Sequence, residues 1–191
     1  MVENPSLTWE LCSFLAPLRK HSDTFIETGT FVGGGVSDAI KCGFTTIHSI
    51  EIHQGIYENA IQLLNGHMAR PDLSVNLHHG DASIVLPEIL SGIGKPCVIF
   101  LDAHHMEGEP RSATVEGDGH SWIRSSIRND LKAIRECPVK NHVILIDDIS
   151  YCDKPEMDSI PMDEIRSSIL AINSDYEMTE ITNNMLLAIV P

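Results

Sequence analysis

The stretch Phe25–Gly35, FIETGTFVGGG, constrains the fold of this 191-residue chain more than any other. Phe25 and Ile26 follow the polar run Lys20-His21-Ser22-Asp23 and read as a short buried strand that ends near Glu27. Gly29, Gly33, Gly34 and Gly35 come next, and a helical pattern starts near Val36. A strand, a glycine-rich turn and a helix start together form a nucleotide-type cradle. The glycines permit positive φ and a close backbone approach, and the helix start offers free N–H groups. Read by itself, the same pattern also fits a plain strand-to-helix turn.

The rest of the chain decides between the two. Continuous apolar or β-rich runs recur at Thr46–Ile52, Leu73–His78, Cys97–Leu101 and Val143–Ile146. Stretches of helical period lie between them, at Val36–Cys42, Gln54–Leu64, Ala82–Leu90, Trp122–Glu136 and Met162–Asn173, with an amphipathic helix over residues 6–20 ahead of the first strand. Tyr176–Thr182 and Met185–Val190 flank Asn183-Asn184 as a hairpin. This order predicts an α/β fold: a Rossmann-like, doubly wound, mostly parallel seven-stranded sheet with a C-terminal antiparallel β-hairpin, in a single domain over residues 1–191. Residues 104–121 break the pattern with three glycines and a proline, and a loop this long is often functional.

Acidic residues fall at the ends of these strands: Glu27, Glu51, Asp81, Asp102 and the pair Asp147-Asp148. In a parallel sheet the carboxyl ends share one edge, where ligands bind. Gathered carboxylates repel one another unless cations or hydroxyls are bound there. Glu51 lies about 20 residues beyond the glycine turn, placed to accept hydrogen bonds from ribose hydroxyls. Asp81 in Gly80-Asp81-Ala82-Ser83 suits the base end of a nucleoside, and also the N-cap of the following helix. Asp102, Asp147 and Asp148 offer hard oxygen ligands for Mg²⁺, with Mn²⁺ or Ca²⁺ as alternatives; otherwise Asp147-Asp148 is a loop pair and Asp102 only orients a cofactor. His104 and His105 follow Asp102 in the loop. His105 is the expected base and His104 the neighbour of the cofactor, with His120 a third candidate.

The net charge of −14 argues against a polyanionic partner such as nucleic acid and suits a neutral or cationic ligand. No apolar run reaches the ~20 residues of a membrane span. The N-terminus lacks the basic and apolar regions of a signal peptide, and five scattered cysteines without a C-x-x-C pair suggest reduced thiols, so a cytoplasmic location is expected.

Taken in succession, FIETGTFVGGG, SIEI, GDAS, IFLD and ILIDD resemble the motifs of class I S-adenosylmethionine (SAM)-dependent methyltransferases over about Thr24–Ile149. The pairing of LDAHH with LIDDI is similar to the metal-dependent catechol O-methyltransferase group, and LDAH also resembles sugar-modifying methyltransferases. The resemblance implies that Glu27, Gly29, Thr30 and Gly33 cradle the methionine end of SAM. Glu51 would hold the ribose, and Asp81, Ala82 and Ser83 would meet the adenine. Asp102, Asp147 and Asp148 would bind Mg²⁺ or Mn²⁺, with Asp102 also beside the cofactor and Asp102, His104 and His105 forming the catalytic group. The catechol group has a lysine where His105 stands. The implied activity is methylation of a hydroxyl, on a sugar or glycan or on a small phenol. A metal-free methyltransferase of an amine or carboxylate and a non-catalytic nucleoside-binding module are the other readings. An NAD-type oxidoreductase is disfavoured because the glycine run does not satisfy G-x-G-x-x-G.

Overall fold

A computed structural model describes residues 8–104, 125–181 and 184–191 of the protein. The elements in chain order are α1 (Thr8–Leu18), β1 (Thr24–Thr28), α2 (Gly34–Lys41), β2 (Thr46–Glu51), α3 (Gln54–Met68), β3 (Ser74–His79) and α4 (Ala82–Ser91). There follow β4 (Val98–Leu101), α5 (Ile127–Glu136), β5 (Val143–Ile146), α6 (Met162–Ile172), β6 (Glu177–Ile181) and β7 (Met185–Ile189). The seven strands form one sheet of order β3-β2-β1-β4-β5-β7-β6. The first five strands are parallel, and β7 runs antiparallel to both β5 and β6. The doubly wound sheet and its terminal hairpin are as the sequence predicts.

The apolar runs of β1, β4 and β5 are explained by cover on both faces. Side chains alternate along a strand. Phe25, Val98, Phe100, Val143 and Leu145 therefore join α1, α2 and α3 in one core, with Leu15, Val36, Ala39 and Leu64. Ile26, Ile99, Leu101, Ile144 and Ile146 join α4, α5 and α6 in the other, with Leu86, Leu131 and Ile169. Strand β6, at the sheet edge, instead carries exposed Glu177 and Glu180, charges that discourage edge-to-edge pairing.

Several helix ends differ from expectation by a few residues. Helix α2 begins at Gly34, because Gly33 (φ +79°) takes the left-handed cap position and lets the helix start two residues early. Helix α3 continues past Leu64 to Met68, through Gly66. Of the predicted helix over 122–136, Ile127–Glu136 is helical, and Trp122 lies outside the described residues. Among the described residues, no helix is long and apolar enough to cross a membrane.

The winding reverses between β1 and β4: β2 and β3 lie to one side of this line, β4 and β5 to the other. In an open α/β sheet the crevice beyond the strand ends at such a reversal is where ligands bind.

Candidate active site

The glycine turn sits at this reversal. The Gly29 and Thr30 amides both donate to the Ile50 carbonyl, at 2.9 and 3.1 Å, which folds the turn over the end of β2. Gly29 has φ +90°, and a Cβ there would lie 2.9 Å from the Asp102 carbonyl oxygen, so only glycine lets β1 leave the sheet against the end of β4. Beneath the turn, Glu27 is only 2% exposed. Its Oε1 accepts the Ser49 hydroxyl at 2.7 Å, and Ser49 Oγ lies 2.5 Å from Thr30 Oγ1. The Val36 amide of α2 also reaches the Glu27 carboxyl. Burial, with a contribution from the charge of Glu51, pushes Glu27 up to about 8 despite the Ser49 hydrogen bond. Glu27 therefore acts as a buried neutral acid joining β1, β2 and the first turn of α2.

Glu51, at the end of β2, accepts the Phe31 amide at 3.0 Å and the His53 amide at 2.9 Å, so it fixes the outer limb of the turn. Asp81 caps α4, accepting the Ser83 amide at 2.8 Å and the Ser83 hydroxyl at 2.7 Å. Ala82 opens that helix.

At the ends of β4 and β5, Asp102, His104 and Asp148 each offer a ligand atom, and these atoms lie within 4.8 Å of one another. His104 bridges the two acids, with Nδ1 3.6 Å from Asp102 Oδ1 and Nε2 3.3 Å from Asp148 Oδ2. Burial raises Asp102 to about 8, and the charges of Asp147, Glu27 and Asp148 add to it. Asp148 sits in the left-handed region (φ +54°), held by Asn184, whose Nδ2 donates to Asp148 Oδ1 at 3.2 Å. Asp147 turns its Oδ1 to the Asp148 amide at 2.8 Å and is not part of the converging trio; burial raises it to about 6. His105 and His120 lie outside the described residues.

Behind this cluster lies an acid that sequence reading passed over. Asp130 of α5 is fully buried; its Oδ2 accepts Ser126 Oγ at 2.5 Å and Thr28 Oγ1 at 3.4 Å. Its Oδ1 has no hydrogen-bond partner among the described residues. Burial pushes it up to about 7. Ser126 in turn donates its amide to the Ala103 carbonyl at 3.2 Å, and Ser125 bridges to His104, so α5 braces the chain that carries His104. The available signal was an acid set among Ile127, Leu131 and Ile134, on the apolar stripe of its helix. Ser49, two residues before Glu51 and thus on the same strand face, was also legible in principle.

These buried acids set a pH dependence. In the folded protein Glu27 and Asp130 hold their protons to about pH 8 and 7, whereas unfolded carboxyls release them near pH 4. The folded state binds more protons in that window, so stability falls as pH rises through it. The thermal midpoint is expected to drop by several degrees between pH 5.5 and 8.5, and Glu27→Gln should flatten the slope. A wild-type midpoint independent of pH would contradict this.

No protein-family model and no curated protein matches the chain. Solved structures do. An O-methyltransferase from Bacillus cereus in complex with SAH superimposes with a TM-score of 0.62 at 12% identity, covering 99% of this chain and 84% of the other. TomG, an O-methyltransferase from Streptomyces achromogenes in complex with SAM, gives 0.60 at 17% identity, covering 100% and 81%. The SAH-bound Podospora anserina methyltransferase PaMTH1 gives 0.59 at 12%, covering 94% and 77%.

The chain has the class I methyltransferase fold. Identities this low establish the fold alone, and a fold does not name an activity. In the frame of the methyltransferase fold, the glycine turn and the Asp102–His104–Asp148 cluster stand side by side, joined by the contact of Gly29 with the Asp102 backbone.

Proposed function

We propose that the protein is a cytoplasmic SAM-dependent O-methyltransferase that uses a divalent cation, Mg²⁺ or Mn²⁺, to methylate a hydroxyl of a sugar or glycan. The observation that carries this reading is the convergence of Asp102, His104 and Asp148 at the strand ends, beside the glycine turn. The donor set fits a cation. It combines two carboxylates and an imidazole whose ligand atoms converge. The turn lies against the Asp102 backbone through Gly29, which sets its bare backbone at the strand-end crevice. The SAH- and SAM-bound neighbours of the same fold support the choice of cofactor. The LDAH run at Leu101–His104 supports a sugar acceptor by its resemblance to sugar-modifying enzymes.

In this reading SAM supplies an activated methyl group, so the protein has only to align an acceptor oxygen and remove its proton. A divalent cation at Asp102, His104 and Asp148, with Asp147 adjoining, would supply Lewis acidity toward the acceptor hydroxyl. Gly29, Thr30, Gly33 and Gly34 present backbone to the methionine end of SAM, with Glu27 holding the turn from below. Glu51 receives the ribose; Asp81, Ala82 and Ser83 border the adenine. His105 takes the acceptor proton, while His104 stands between Asp102 and Asp148. The acidic crevice favours the cationic cofactor over its neutral product.

Calorimetric titration of SAM, in EDTA and then with Mg²⁺ or Mn²⁺, tests the reading. SAM binding together with metal-dependent transfer to a sugar hydroxyl is expected. Binding of SAM with transfer unaffected by EDTA would point to the metal-free class, and binding of NAD⁺ in place of SAM would overturn the proposal.

A further inference from the structure

Two of the five cysteines meet far from the crevice. Cys12 lies on α1 and Cys42 caps the end of α2, and their sulfurs are 2.9 Å apart. That is closer than unbonded sulfurs normally rest and within a small side-chain adjustment of the roughly 2.05 Å of a disulfide. Each thiol also points to a carbonyl of the other helix: Cys42 Sγ to the Cys12 oxygen at 3.4 Å, and Cys12 Sγ to the Asp38 oxygen at 3.8 Å. Lys41, paired with Asp38 at 2.8 Å, sets a positive charge beside both sulfurs. Both cysteines are half-buried, so a small oxidant can reach them. Cys97, Cys137 and Cys152 are buried, and Cys97 Sγ lies against the ring of His142 at 2.9 Å.

We propose that Cys12 and Cys42 are a redox modification site, a dithiol that a peroxide closes into an intramolecular disulfide pinning α1 to α2. The two helices are otherwise joined through apolar contacts such as Leu15 and Leu18 with Val36 and Ala39. The two sulfurs face each other, so whichever is oxidised first has the other in place to resolve it. One of them, as its thiolate, attacks a peroxide oxygen: the O–O bond breaks, a sulfenic acid forms and, with the thiol's proton, water leaves. The other sulfur then displaces the hydroxyl; the S–S bond forms, and its proton departs with the hydroxide as a second water. Two thiols lose two electrons, and one peroxide is reduced to two waters.

The closed ring spans the segment between the two helices, so the covalent link restrains the unfolded chain. Oxidation should raise the thermal midpoint by roughly 5–10 °C relative to the reduced protein.

The test is treatment of the full chain with near-stoichiometric hydrogen peroxide, followed by intact-mass and non-reducing tandem mass spectrometry. The expected result is loss of two hydrogens, a Cys12–Cys42 link reversed by dithiothreitol, and a midpoint increase absent from Cys12→Ser. A trivalent arsenical should bridge the reduced wild-type pair as a single adduct, a readout that needs no folded variant. Sulfinic acid at Cys12 without a link, a link between chains, a link to Cys97, Cys137 or Cys152, or no arsenical bridge would each overturn the proposal.

Discussion

Asp148→Asn should lower methyl transfer at least about 100-fold while leaving SAM affinity within about threefold of wild type. The substitution keeps the shape of the site and removes one charge. Asn tolerates the left-handed backbone that Asp148 adopts at φ +54°, and its side-chain oxygen can still accept from Asn184 Nδ2 as Asp148 Oδ1 does. What it loses is the carboxylate whose Oδ2 lies 3.3 Å from His104 Nε2 in the converging trio. Metal-assisted charge stabilisation is worth several kcal/mol, and each ~1.4 kcal/mol is tenfold in rate, hence the figure. Manganese binding, followed by electron paramagnetic resonance, should weaken in parallel. Unchanged transfer, or transfer lost with manganese affinity intact, would sink the metal reading. Asp148→Ala is the poorer probe, because alanine fits the left-handed conformation less well and loses the tie to Asn184.

The fold was legible because its signals are periodic. Central strands covered on both faces must be apolar throughout, as Val98–Leu101 and Val143–Ile146 are, and Asn184, at φ +66°, stands just before β7. Helix ends were less legible, since they depend on single backbone conformations such as that of Gly33. The acids of the site could be placed along one edge because parallel strands end together. Where each carboxylate points could not be read, because a residue at or past a strand end no longer obeys the strand's alternation reliably. Asp81 caps its own helix, and Asp147 accepts the amide of its neighbour. His104, expected beside the cofactor, bridges Asp102 and Asp148, a pairing that the sequence does not signal. That bridge depends on α5 bracing residues 103 and 104 through Ser125 and Ser126, a contact made across the long loop and carrying no local sequence signal.

The two adjacent glycines of the turn should respond to alanine in opposite ways. At Gly35 an added Cβ would stand 2.0 Å from Glu27 Oε2. Glu27 cannot retreat without cost, since it is buried and tied to Ser49 and to the Val36 amide. Alanine gains about 1 kcal/mol of helix propensity over glycine. Overpacking costs about 1–3 kcal/mol, and displacing a buried hydrogen-bonded group about 1–3 kcal/mol more. The clash wins, and Gly35→Ala should lower the thermal midpoint by roughly 5–10 °C and weaken SAM binding more than about tenfold as the turn splays. At Gly34 an added Cβ meets no atom within 4 Å, and φ is not positive, so only the propensity gain remains. Gly34→Ala should therefore fold as well as wild type or slightly better. If the turn holds a ligand against bare backbone, however, the new methyl group occupies the ligand's space, and SAM affinity should fall without loss of stability. Thermal melts and SAM titrations on the pair separate the two causes. Loss of affinity in Gly35→Ala alone would mean that the turn supports the site from beneath, with the ligand elsewhere. Loss in both, with stability lost only in Gly35→Ala, would locate the cofactor on the outer surface of the turn and leave Glu27 as its internal support.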